Sequence, residues 1–336
     1  MTLDQLHRRL SETHDGRYAW RGDETIGAAV LHFMSGECAD PASRVRAMNI
    51  VCGVLESTSD DVSAIGLPLR AFADAALGAL TAFADDSVCF ASSKLLVALS
   101  RDTFESTFSS ECARYADASL DALAANGPIA YKEGSAALLR SVCRSCSGSR
   151  AEVVWTRARC LRLVQIIAGV SDSGWSDAVS HLLAALEALA LVSYPLRETI
   201  LSVGGFALCV KVAAASEGGD AGRFQWPPVI RCCWRLSACL DIGTLVTRKD
   251  IATLEDSFGK ISAHDRPLQQ ALSGVFANMI LSAPERVAPL CSAQVCPPLP
   301  VSRQTLHRVD PIRMLCCRSC CPCLCDPRQE GQSFPT

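Results

Sequence analysis

Six cysteines crowd into ten residues near the C-terminus: Cys316, Cys317, Cys320, Cys321, Cys323 and Cys325, in the run CCRSCCPCLC. Thiols at that density suit two chemistries. Beside Arg303, Arg308, Arg313, Arg318 and Arg328 they suit S-acylation, in which several acyl chains plus positive charge hold a protein on a membrane. They also suit a soft metal ion bound through sulfur. A third reading is a tail made by alternative splicing or a misdrawn reading frame, with no fold of its own. Pro322 forbids a regular helix through the cluster in every case.

Other chemical signals are weaker. Cys143-Arg144-Ser145-Cys146 has the CxxC spacing that lets two thiolates meet one zinc ion, but no second pair lies at ribbon spacing. Its place at a helix C-terminus also deprives it of the N-terminal dipole that activates redox thiols. His264-Asp265 has the form of an oriented base, yet reads better as a capping Asp beside a surface His. Gly169-Val170-Ser171-Asp172-Ser173-Gly174 is one residue out of step with a nucleophile elbow. HExxH, the phosphate-binding GxxxxGK[ST] and a strand-borne GxGxxG do not occur. The expectation is a non-enzymatic chain with no cofactor, no catalytic residue and no metal in its body.

What must position any site is a chain of 336 residues, 49% hydrophobic, 20% charged and only 6% aromatic. Apolar content drawn from Ala, Leu and Val favours close-packed helices over sheets. A net charge of −3 leaves no footprint for nucleic acid. The 27 arginines against five lysines are dispersed and matched by acids. Nineteen cysteines, an odd number, with no apolar signal-peptide core at the start, point to reduced thiols in the cytoplasm or nucleus. Charges such as Glu187, Arg197 and Lys211 interrupt every apolar stretch before it reaches spanning length, so the body is expected to be soluble.

From residue 24 to about 285 the text repeats amphipathic segments with apolar residues at i, i+3, i+4 and i+7. Breaks fall at Ala39-Asp40-Pro41, Asp85-Asp86-Ser87, Asn126-Gly127-Pro128, Tyr194-Pro195 and similar points, where Pro or Asp suits a helix start. The most apolar segments are 46–56, 93–100, 135–143, 183–193, 232–242 and 272–282, whose centres recur at the spacing of solenoid repeats. A helix apolar nearly all round must be covered on several sides, which stacking supplies.

Within 182–212, LLAALEALALVSYPLRETILSVGGFALCVKV resembles the junction between two armadillo repeats. A long Leu/Ala-rich third helix ends, a short helix closes on Gly204-Gly205, and a second helix begins at Phe206. The sharp turn calls for a residue without Cβ, for positive φ or for close backbone approach. Residues 269–280, QQALSGVFANMI, similarly resemble an armadillo third helix with its Asn near the end. The resemblance implies a right-handed all-α solenoid of armadillo or HEAT type, with third helices lining a groove. It further implies a Trp one turn before an Asn wherever extended peptides are held. Here Trp234 aligns with Gly274 and Ala238 with Asn278, so one repeat carries the Trp and another the Asn. Arg231 and Arg235 would add positive charge suited to an acidic helix or loop.

The expected organisation is therefore an N-terminal helix or arm (1–23), a repeat domain (24–285), and a Pro-rich linker with the Cys-rich tail (286–336), expected to be disordered. The expected role is a scaffold or adaptor that binds another protein through Arg231, Trp234, Arg235 and Asn278. It would bind no nucleic acid, and would meet a membrane only if the tail is acylated. Residues 216–226 read as a surface insertion whose Arg223, Phe224 and Trp226 would be free to touch a partner.

Overall fold

A computed structural model describes Gln5, Arg8 and residues 24–35, 40–57, 68–82, 85–100, 111–125, 129–146, 148–172, 177–215, 226–239, 241–261 and 265–291. Among these residues the chain is all helix, with no strand. The longer helices fall into two layers. The front layer comprises α2 (Pro41–Ser57), α4 (Asp86–Leu99), α6 (Glu133–Ser145), α9 (Asp177–Val192), α12 (Trp226–Ser237) and α15 (Arg266–Ser282). The back layer comprises α1 (Glu24–Met34), α3 (Leu69–Ala82), α5 (Cys112–Ala124), α8 (Arg157–Asp172), α11 (Gly205–Ala215) and α14 (Arg248–Lys260). Short helices α7 (Gly148–Val154), α10 (Tyr194–Ser202), α13 (Ile242–Leu245) and α16 (Pro284–Val287) bridge from one unit to the next.

Each front helix packs on the front helix before and after it, and each back helix does the same in its own layer. Front and back helices of one unit also pack together. Contacts thus run only between neighbours, the property that defines a solenoid. The six apolar segments recognised by their recurrence all lie in, or largely overlap, the front helices, and this explains why they are apolar nearly all round. Leu95, Leu138, Leu186, Leu236 and Leu272 are fully buried between flanking helices.

The repeat is written in hydrogen bonds. Gly134 N–H donates to Ser93 Oγ, Ser141 Oγ to Ser100 O, Arg162 to Asp121 and Asn278 Nδ2 to Ser237 Oγ, each pair 41 positions apart. Arg197 Nη1 donates to Ala238 O at the same separation. Equal separations at unrelated points along the chain require units of nearly constant length stacked in one register.

The punctuation acts as its chemistry dictates. Asp40 and Asp85 accept backbone N–H groups at the starts of α2 and α4, and Ser193 and Asp265 do so for α10 and α15. These caps satisfy donors that a first turn leaves open. At the α10–α11 turn the two glycines divide the work. Gly204 has φ of +89°, and a Cβ on Gly205 would lie 2.4 Å from the Ile200 side chain. One glycine supplies the left-handed backbone and the other supplies the close approach.

Helical structure continues past residue 285. Residues 284–287 form α16 and 288–290 a 3-10 turn, with Val287 buried. Arg286 fixes this turn by donating to the Thr244 and Val246 carbonyls. Pro284 initiates a helix here, because its missing N–H falls where no intrahelical partner exists.

Candidate partner-binding face

Each front helix leaves one stripe uncovered by its neighbours and by the back layer. On α4 the stripe carries Phe90 and Lys94, on α6 Arg140 and Arg144, on α9 Glu187 and Leu191. On α12 it carries Arg231, Trp234 and Arg235, and on α15 Ala277 and Leu281. Contacts run between neighbouring stripes. Arg231 on α12 donates through Nε to both oxygens of Glu187 on α9, at 3.0 and 3.1 Å. His181 on α9 feels the charge of Arg140 on α6.

Trp234 lies at the centre of the C-terminal half of this face. It is half-buried against the core, and a Cβ at Gly274 on α15 would stand 2.6 Å from its indole Nε1. Gly274 is thus the seat of the Trp234 ring, and the alignment of these two positions in sequence corresponds to a physical contact. The Arg235 guanidinium stacks on the same ring, 4.9 Å from its centroid. Such stacking holds a cation in place while leaving its charge unneutralised. On the neighbouring front helices α9 and α15, Leu191 and Leu281 are 56% and 50% exposed.

The charges along the middle of the face are mostly positive. Among the described residues Lys94 and Arg140 make no ion pair, and the Arg235 guanidinium stacks on Trp234 with its Nε buried and without a hydrogen-bond partner. Glu187 is held by Arg231. Acids gather instead at the first turns, as Asp86, Glu133 and Asp177, where helix N-termini favour them. Burial pushes the His181 imidazole below its usual range, the Arg140 charge adds to this, and Asp177 opposes it.

Of the four residues singled out in sequence, Arg231, Trp234 and Arg235 form one cluster. Asn278 stands apart from them. It is 8% exposed and its amide nitrogen is committed to Ser237 Oγ inside the α12–α15 contact. The side chain that resembles a peptide-binding Asn joins two repeats to each other. Arg231 is likewise not a lone cation, because Glu187 accompanies it. The sequence reading met Glu187 only as a charge interrupting an apolar stretch and Gly274 only as the position aligned with Trp234; a search for opposite charges one repeat apart would have joined Glu187 to Arg231.

Asp265 is a helix cap, and Cys143 and Cys146 are buried. His264, residues 216–225 and the tail cysteines Cys316, Cys317, Cys320, Cys321, Cys323 and Cys325 lie outside the described residues. Among the described residues no cluster of three or more His, Cys, Asp or Glu side chains is placed to hold a metal ion. No single described helix is long and apolar enough to cross a membrane.

No family model matches the chain, and no curated protein does. Similar solved structures exist. An engineered protein is 12% identical with a TM-score of 0.49, covering 75% of this chain and 96% of its own. A designed armadillo repeat protein is 10% identical with a TM-score of 0.42, covering 83% of this chain and all of its own. Another designed armadillo repeat protein, solved in complex with the peptide (KR)4, is 9% identical with a TM-score of 0.41 over the same shares. The fold itself rests on the internal register: an all-α, armadillo-like ladder of stacked helical units.

Proposed function

We propose that the chain is a non-enzymatic scaffold or adaptor, and that its front face holds a segment of another protein. The partner segment is acidic along its length and carries aliphatic or aromatic anchors. The observation that carries this reading is the Trp234 cluster. A guanidinium stacked on a half-exposed indole, flanked by exposed Leu191 and Leu281, offers an apolar seat ringed by positive charge. Aromatic and Arg side chains of this kind concentrate binding energy at protein interfaces. Lys94 and Arg140 extend the positive row toward the N-terminal units, where a long partner meets further charge. The proposal places this binding in the cytoplasm, on the expectation of reduced thiols.

The test is affinity purification from a native lysate with quantitative mass spectrometry, using the full chain as bait. An Arg140→Glu/Arg235→Glu bait and an Arg162→Glu bait, altered on the back layer, run beside it. The expected result is one near-stoichiometric partner on the unaltered and Arg162→Glu baits that is lost from the front-face variant. A partner kept by all three baits contradicts the front-face reading.

A further inference from the structure

Arg231 and Arg235 lie one helical turn apart on α12, and α9 answers them differently. Arg231 is met by Glu187, 44 positions earlier in the chain, whose two oxygens accept from Nε at 3.0 and 3.1 Å. Front helices stack in parallel, since the Gly134–Ser93 and Ser141–Ser100 bonds keep one offset of 41 positions. Residues four apart share a helix face. One turn further along both helices, Arg231 gives way to Arg235 and Glu187 to Leu191, again 44 positions apart. Where the first arginine finds a carboxylate, the second finds an aliphatic side chain that is 56% exposed. The front helices around Arg235 offer no substitute. α12 and α15 contain no Asp or Glu, and α9 contains only Glu187 and Asp177, which stands in its first turn.

Arg235 is also placed in advance. Its guanidinium lies 4.9 Å from the centroid of the Trp234 ring, which is seated on Gly274. Its Nε is buried without a hydrogen-bond partner, while the two terminal nitrogens stay open to water and bond no described residue. A guanidinium ordered before binding loses little freedom when it binds, and its terminal nitrogens can grip one carboxylate side by side. From this register we propose that Arg235 is the specificity-determining residue of the front face. Its terminal nitrogens take one Asp or Glu side-chain carboxylate of the partner, because Leu191 leaves α9 without the counterpart of Glu187. The inference rests on the front-face reading above, and adds which cation reads the partner's acid and why. Arg231 does not compete for that acid, since Glu187 already holds it. Leu191 and the Trp234 ring receive the aliphatic or aromatic side chain beside it, so the site selects a carboxylate next to an apolar residue.

The probe is a phage-displayed library of random dodecapeptides, selected on the full chain and on its Leu191→Glu, Leu191→Gln, Arg235→Gln and Arg140→Glu variants. Peptides taken by the unaltered chain are expected to share an Asp or Glu beside an apolar residue. Replacing that acid by its amide in the synthetic peptide should weaken binding about tenfold or more. Leu191→Glu supplies the missing acid from within, and should abolish the acidic preference as Arg235→Gln does. Leu191→Gln should weaken binding yet keep the preference. In low salt Leu191→Glu should melt at a higher temperature than Leu191→Gln, and the difference should vanish when Arg235→Gln is added to both. An acidic preference kept by Leu191→Glu and lost only on Arg140→Glu would overturn the role of Arg235 and leave the front-face reading standing. Equal melting of the two 191 variants in both backgrounds would overturn the register argument. Peptides without acidic preference, or bound equally by every variant, would overturn both readings.

Discussion

The two layers of the ladder share one repeat register but use their charges differently. On the back, arginines find acids one unit away: Arg114 meets Asp74 at 2.5 Å, Arg159 meets Asp117 at 2.6 Å and Arg162 meets Asp121 at 2.5 Å. On the front, Arg231 meets Glu187 at 3.0 Å, but Lys94 and Arg140 have no such partner among the described residues, and Arg235 rests on an aromatic ring. Paired charges fix the distance between units and are closed to anything else. Unpaired charges do nothing for the register and remain open to a partner. The stack is held in both layers, by these ion pairs on the back and by the Gly134–Ser93, Ser141–Ser100 and Asn278–Ser237 hydrogen bonds on the front, and the unpaired front charges are what the proposed partner would meet.

The largest effect is expected where the front layer is tightest. A Cβ at Gly134 would lie 2.4 Å from the Ser93 carbonyl oxygen, a backbone atom that cannot move aside. Gly134→Ala should therefore cost about 2–3 kcal/mol by chemical denaturation. Gly78, on back helix α3, meets nothing within 4 Å, so Gly78→Ala should be neutral or gain up to about 1 kcal/mol. Equal effects at the two positions would mean that the close approach of Ser93 to Gly134 does not set the cost.

Asn278→Ala should cost about 1–2 kcal/mol by leaving the buried contact with Ser237 unmade, while partner recovery stays unchanged. Loss of the partner at unaltered stability would return Asn278 to the binding surface. On the back, Asp117→Asn should cost about 1 kcal/mol, since the Arg159 pair is only partly shielded from water. Arg159 holds the Asp117 carboxyl below its usual range of 3.8. The pair's contribution is thus present above that range and lost as pH falls through the lower folded value, and the variant should lack this acid-dependent component.

The smallest effect concerns His181, whose imidazole lies below its ordinary 6.5 in the folded chain. The unfolded chain then binds the proton more readily, so stability is full above 6.5 and declines as pH falls toward the folded value. Melting curves between pH 7.5 and 5.5 should fall less steeply for His181→Gln than for the unaltered chain. Parallel slopes would mean that His181 is not sequestered between Arg140 and Asp177.

Much of the ladder was legible because stacking imposes a composition. Front helices covered on several sides must be apolar nearly all round, and the six that were so are the six that stack. The Gly204-Gly205 turn was legible because few residue types permit it. The site was legible only in part, since side-chain partners one repeat away leave no local mark. Trp234 and Gly274 showed their relation only when two helices were aligned, and Glu187 beside Arg231 needed the register itself. Asn278 misled for a physical reason: an amide inside a helix contact and an amide beside a peptide groove share one sequence pattern.

The most direct test of the central claim is hydrogen exchange on the full chain, alone and saturated with its recovered partner. Slowed exchange in α6, α9, α12 and α15, with α5, α8 and α11 unchanged, is the predicted result. Protection concentrated on the back helices, or none on the front, would contradict it.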